Sequence, residues 1–389
     1  MDRHATFVLG LVLGVISVLA TAPSWGAEAY KIGMSAAITG PAAGTYAPTF
    51  DAYKAYFKRV NDAGGLNGHP VEIAYEDDRG EPSRAAANAK KFGEGVIAIV
   101  IASISPTYKP FMTEAEAGKI PLIFGGGVCP KEAFPPANPL VFCSTSFGAQ
   151  WDSRFAIPFI KREAGGKRVK VGFVAQNIPI SQSEMEFAEK LAAEQGLETI
   201  PAVVVPGGAA DFTPFASRLK DAGADWVLSW APWPLEIGVF EALKRVGWTG
   251  NYLLYAHQQA QDDLLRLKSP NLYAFGGNAM FTENLPIHRQ ITDAVKGLTA
   301  HAPHYMAEGW VSAMVLEQAL LRCGWPCSKD KLAQTLTMVT VDTRGLRGGP
   351  IEWTGDNHYR KTTFYKVYRW DGGRHAIVPT GDWTGLTVK

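Results

Sequence analysis

The chain predicts an α/β protein of two lobes, each a mostly parallel sheet flanked by helices, joined by a hinge of several crossing segments. Three observations lead there. Apolar runs of strand length alternate with helical stretches through most of the sequence. The alternation restarts after Cys143, which implies two sheets of the same kind. At 389 residues the chain also exceeds the usual size of one hydrophobic core.

Residues 1–29 read as an export signal. Arg3 and His4 precede an apolar core from Phe7 to Ala20, too short to span a bilayer. Cleavage after Gly26 and cleavage after Ala29 both remain open. No cysteine precedes Cys129, so a lipid anchor near the export site is not expected. Charge is balanced, with 38 Lys+Arg against 37 Asp+Glu, which argues against nucleic acid or an anionic membrane as partner. Four cysteines suit an exported chain, and the simplest pairing is local: Cys129 with Cys143, and Cys323 with Cys327. Four cysteines permit three connectivities, so sequence leaves the pairing open.

The elements follow in order. Tyr30–Met34 is a short strand, and Ser35–Tyr46 a loop rich in Gly, Ala and Thr. Phe50, Tyr53, Phe57 and Val60 recur at helical spacing until Gly64-Gly65 stops the helix. Val71–Tyr75 is a strand ending in Glu76-Asp77-Asp78, expected to be a solvated turn, and Ser83–Phe92 is helical. Val96–Ala102 is wholly apolar, as befits a strand buried on both faces. Ser105-Pro106 then predicts a helix start, with Ser as N-cap and Pro at the first helical position. Backbone N–H groups at such a start can hold an anion. Ile120–Phe124 follows, with Gly125–Gly127 as a tight turn.

In the second half, Val169–Ala175, Ala202–Val205, Ala224–Trp230 and Asn251–Tyr255 read as strands separated by helices. One of these helices begins at Thr213-Pro214. Tyr273–Phe281 looks like a crossing back to the first lobe, Ala307–Cys323 is a long helix, and the tail reads as strands. The expected lobes are residues 30–146 with 277–350, and residues 147–276 with 351–389. No Gly-x-Ser-x-Gly elbow, Walker loop or His-Glu-x-x-His is present, so an enzyme is not expected, nor is a cofactor or a metal.

Several segments then carry a resemblance. Thr39-Gly40-Pro41 precedes Tyr46, and Asn61-Asp62-Ala63-Gly64-Gly65-Leu66-Asn67-Gly68 leads into Tyr75-Glu76-Asp77-Asp78. Asp211-Phe212-Thr213-Pro214-Phe215 runs through Arg218-Leu219-Lys220 to Ala224-Asp225-Trp226-Val227. Together, and in this order, they resemble the periplasmic solute-binding proteins of the leucine/isoleucine/valine family, which feed ABC transporters. The resemblance implies a type I periplasmic binding fold that closes on its ligand. It also implies a monomer in the periplasm that serves an inner-membrane permease.

The resemblance also assigns a site. Ser105 matches the serine that binds the ligand carboxylate, and Gly126 and Val128 match positions that hold the ligand's backbone groups. Tyr46, Ile180 and Trp233 match aromatic or wall positions, and Met306 or Tyr305 a side-chain pocket. Trp230 and His257 are added because Trp230-Ala231-Pro232-Trp233 and His257-Gln258-Gln259 follow strand ends. The family's amino-acid binders carry an acidic residue where this chain reads Ala256-His257-Gln258-Gln259, with no carboxylate before Asp262. A buried ammonium lacking an acceptor costs several kcal/mol, of which a cation–π contact returns about 1–2. The expected ligand is therefore a carboxylate with an apolar or aromatic body, as in the family's aromatic-acid binders. Glu236 and Glu308 are the two acids that could substitute.

Overall fold

The computed structural model describes residues 28–93 and 95–389; residues 1–27 of the expected export signal lie outside them. The first lobe begins β1 (Tyr30–Ala36), α1 (Ala43–Asp62), β2 (Val71–Asp77), α2 (Pro82–Phe92) and β3 (Ala98–Ala102). It continues with α3 (Lys109–Glu116), β4 (Leu122–Gly126) and β5 (Val141–Cys143). The five strands form a parallel sheet in the order β2-β1-β3-β4-β5. The chain then crosses to the second lobe through α4 (Trp151–Glu163), β6 (Lys170–Gln176), α5 (Pro179–Glu194) and β7 (Glu198–Val205). Next come α6 (Thr213–Asp221), β8 (Trp226–Trp230), α7 (Trp233–Arg245), β9 (Asn251–Tyr255), α8 (Ala260–Leu267) and β10 (Leu272–Gly276).

A second crossing returns the chain to the first lobe as α9 (Pro286–Val295), α10 (Ala307–Cys323) and α11 (Lys329–Leu336). The two-stranded β11 (Thr340–Val341) and β12 (Ile351–Glu352) follow. A third crossing ends in β13 (Thr362–Asp371), β14 (Ala376–Pro379) and β15 (Thr384–Thr387), which close the second sheet. That sheet runs β14-β13-β10-β9-β8-β6-β7, parallel from β10 to β7 and antiparallel at β13 and β14; β15 pairs with β13.

Each sheet is covered on both faces. Helices α1 and α10 bury one face of the first sheet around Tyr53, Phe57, Trp310 and Val315, while α2 and α3 cover the other around Phe92, Phe111 and Phe124. Both faces of the second sheet are packed likewise. This is why its strands read as apolar runs rather than alternating ones.

Several expectations shift. The helix after β3 starts at Lys109, not at Pro106, and Ser105–Thr107 is a 3-10 turn whose N-cap is Ile104. The cause is a second proline. In a helix begun at Pro106, Pro110 would have to donate an N–H it does not have; starting at Lys109 places Pro110 in the first turn, where none is needed. Helix α1 begins at Ala43, so Tyr46 lies in its first turn rather than in a loop. Tyr273–Gly276 belongs to β10, and the crossing starts after it. Ile351 and Trp353 pack in the first lobe, so the chain enters the second sheet only at β13, past the expected division at 351. Asp78 is not solvated: it is fully buried and accepts from Ser35 Oγ (2.8 Å), Ser103 Oγ (2.7 Å) and the Gly80 N–H (2.8 Å).

Two disulfides close local loops, Cys129 to Cys143 and Cys323 to Cys327. The first ties the segment after β4 to β5.

Candidate functional site

Strands β1, β3 and β4 point their carboxyl ends at the corresponding ends of β6, β8 and β9, and a cleft lies between the two rows. Its cavity encloses about 540 Å3 of free space, part of it open to solvent. From the first lobe it is lined by Thr45, Tyr46, Ile104, Ser105, Gly127 and Val128. From the second come Ile180, Ser181, Trp230, Pro232, Tyr255 and His257, with Phe147 from the first crossing.

Six of the expected residues therefore meet here: Tyr46, Ser105, Val128, Ile180, Trp230 and His257. Ser105 opens the 3-10 turn above β3. The turn bonds Thr107 N–H to the Ile104 carbonyl (3.0 Å) and Tyr108 N–H to the Ser105 carbonyl (3.1 Å), so an anion at this place would meet Ser105 itself rather than a helix end. Beside it, Gly127 has φ +94°, and a Cβ there would come within 2.4 Å of the Ser103 carbonyl. Only glycine lets the chain pass so close to β3, and this brings Val128 into the cleft. Burial, with the Asp78 charge nearby, raises the Tyr46 phenol above its ordinary value, so it stands as a neutral hydrogen-bond donor.

The second-lobe wall is held by buried acids that stay out of the cavity. Trp230 donates its indole N–H to Asp152 Oδ2 (2.8 Å), and Asp152 Oδ1 accepts from the Tyr365 hydroxyl (2.7 Å). Burial keeps the Asp152 carboxyl well above its ordinary value, and the neighbouring Glu184 charge adds to this. His257 has a side chain 10% exposed, and its Nε2 lies 3.1 Å from the Ala231 carbonyl and 3.6 Å from Glu236 Oε2. Burial pulls it down to about 4, so it is neutral.

Three expected residues stand outside this cavity. Trp233, the first residue of α7, donates to Asp263 Oδ2 of α8 (2.7 Å), and its ring is 4% exposed in the second-lobe core. Met306 ends a 3-10 turn that points it into the first-lobe core, while Tyr305 beside it reaches Asp262. Gly126 faces Thr49 and Ala102; it is Gly127 that touches the cleft. Phe147 and Tyr255 were not anticipated. They stack with ring centroids 4.5 Å apart, and the signal available was an aromatic at each strand-to-loop junction.

Neither candidate acid replaces the missing one. Glu236 is fully buried behind Ala231, with its carboxyl raised well above the ordinary range by desolvation. Glu308 faces a separate, inner cavity and is already engaged: it accepts from Ser146 N–H, Ser146 Oγ, Asn278 Nδ2 and Arg347 Nη2. Burial alone would raise its carboxyl; the Arg347 charge and these bonds outweigh that and hold it low.

The family model for periplasmic binding protein matches residues 29–374. The chain belongs to the periplasmic binding protein family. A curated relative of this binding protein, Leu/Ile/Val-binding protein homolog 6 of Brucella melitensis, is 26% identical over 238 residues, 59% of the chain and 57% of the relative's own length. Among solved structures, a Thermus thermophilus branched-chain amino acid ABC transporter protein with bound valine superposes with TM-score 0.80 at 19% identity, covering 92% of this chain and 97% of that one. A solute-binding protein of an ABC transporter from Rhodopseudomonas palustris BisB5, in complex with 3,4-dihydroxybenzoic acid, gives 0.77 at 18% identity, covering 92% and 98%. The two-lobed architecture of this binding protein is that of type I members.

Proposed function

We propose that the protein is the extracytoplasmic substrate-binding component of an ABC importer. It closes on a small carboxylate with an apolar or aromatic body and delivers it to an inner-membrane permease. One observation carries the ligand class: the cleft sets Ser105 against Val128, Ile180 and Trp230 and offers no ionised side chain to an ammonium. Asp152 and Glu236 are buried behind its wall, and burial raises both carboxyls well above their ordinary range. The assignment to transport draws on the family and on the similar proteins that carry ABC-transporter descriptions; one of these holds valine and another an aromatic acid. Tyr46 donates from the first lobe, His257 faces the ligand as a neutral ring, and the protein works as an exported periplasmic monomer.

A thermal-shift screen of amino acids against aromatic and aliphatic carboxylates tests the ligand class. A ligand present at a hundred times its Kd stabilises the closed form by about 2.7 kcal/mol, so a selective rise with carboxylates is expected. Selective stabilisation by leucine or valine would overturn the organic-acid reading. Deleting the gene should abolish uptake of the bound compound, and unchanged uptake would point to sensing instead of transport.

A further inference from the structure

A second cavity adjoins the first, with about 460 Å3 of free space, part of it likewise open to solvent. Gln258 and Gln261 line it from the second lobe, Asn278 and Phe281 from the second crossing, and His304 and Glu308 from the first lobe. Phe147 and His257 belong to the walls of both cavities, their ring centroids 5.1 Å apart. These two rings form the partition.

Of the polar groups of the inner cavity, Gln261 Oε1 accepts from the Thr282 N–H (3.2 Å) and His304 Nε2 lies 3.0 Å from Asp262 Oδ1. Glu308 and Asn278 are saturated by Ser146, by Arg347 and by each other. His257 Nδ1 and Gln258 Oε1 are buried without a partner. The tautomer of His257 follows from its neighbours. Nε2 faces the Ala231 carbonyl, which can only accept, so Nε2 carries the proton and Nδ1 of the neutral ring is an acceptor. Two buried acceptors left unpaired oppose folding, and a donor arriving with a ligand removes that cost. An ammonium is the poorer donor, because Glu308 is already neutralised by Arg347 at 3.1 Å, and Asp262 beyond the lining is already engaged by His304 at 3.0 Å and by the Tyr305 hydroxyl. A hydroxyl supplies the hydrogen bond without a charge.

We propose that the inner cavity is a second subsite, which takes a hydroxyl at the end of the ligand remote from its carboxylate. On this proposal, which rests on the carboxylate reading above, the cognate class is hydroxylated organic acids long enough to reach past Phe147 and His257.

Calorimetric titration of the full mature protein with two matched pairs tests this: benzoate against 4-hydroxybenzoate, and 3-phenylpropionate against 3-(4-hydroxyphenyl)propionate. At least one hydroxylated member should bind about tenfold tighter than its partner. In His257→Phe and in Gln258→Leu that ratio should collapse towards one. Gln258→Leu serves as a second arm should the buried histidine prove necessary for folding. If the hydroxyl adds nothing in the wild type, or its gain survives both substitutions, the subsite is refuted while the carboxylate site stands. If no carboxylate binds at all, the carboxylate reading fails and this subsite with it.

Discussion

Ser105 is the residue on which the ligand reading turns, and it is half-buried on a turn rather than packed in a core. Ser105→Ala should therefore leave the unfolding midpoint unchanged while weakening carboxylate binding by about 1.5–3 kcal/mol, the usual worth of a hydrogen bond to a charged group. Normal binding by this variant, measured by calorimetry, would move the carboxylate elsewhere. His257 makes a prediction about pH. Burial lowers it from 6.5 to about 4 in the folded state, so unfolded chains bind the extra proton between those values. Its contribution is complete above pH 6.5 and is lost as pH falls towards 4. Glu236, 3.6 Å away, acts in the opposite sense: its folded carboxyl keeps its proton above the unfolded value, so its contribution is lost as pH rises. Comparison with His257→Phe isolates the histidine. Between pH 6.5 and 4, denaturant titrations should show the wild type losing up to about 3 kcal/mol more than the variant.

At the scale of elements, the disulfide between Cys129 and Cys143 pins the loop that carries Gly127 and Val128 into the cleft. Replacing both cysteines by serine should cost about 3 kcal/mol of stability, by loop-entropy reasoning for a closed loop of this length. It should weaken ligand binding as well, because the cleft wall loses its anchor; unchanged affinity would show that Val128 is held by packing alone. The elements were legible where one physical signal dominated. Apolar runs such as Val96–Ala102 had to be two-sided strands, and the spacing of Phe50, Tyr53, Phe57 and Val60 had to be a helix. The turn at Ser105 was not legible from Ser-Pro alone, since its form depends on Pro110 four residues on. The roles of Trp230 and Trp233 were not separable either. One ends a strand and faces the cleft, and the other opens a helix and turns inward to Asp263, a partner far along the chain. Phe147 and Tyr255 escaped notice for the same reason, because their stacking joins segments distant in sequence.

At the scale of the whole molecule, the lobes touch across the cleft mouth. Gln259 donates to the Gly44 carbonyl, and the Tyr305 hydroxyl reaches Asp262 Oδ2 at 2.5 Å. Gln259→Ala combined with Tyr305→Phe should lower affinity several-fold by favouring the open form, with a larger radius of gyration in ligand-free scattering. A variant as compact and as tight-binding as the wild type would remove these contacts from closure. The two-lobed plan was readable from the repeated βα alternation, but the tie that joins the lobes was not, because it is built from residues scattered over five segments. Glu308 of α10 binds Ser146 of the first crossing and Asn278 of the second, with Arg347 as its counter-ion. Arg360 and Tyr359 of the third crossing bond the Thr145 and Ser146 carbonyls. Glu308→Gln should cost about 3–5 kcal/mol by stranding the Arg347 charge, and adding Arg347→Met should recover part of it in the same denaturant titration.

That knot has a mechanical meaning. Three crossings are tied together at one buried point, so a hinge rotation about that point would leave the tie intact, whereas sliding one lobe past the other would have to break it. Ser105 and Trp230 stand on opposite walls of the cleft, whereas Glu308 forms part of the tie and part of the inner cavity's wall. On the proposal of a second subsite, a ligand long enough to enter that cavity would touch the tie as well as the cleft walls, so ligand length would bear on how the two lobes meet.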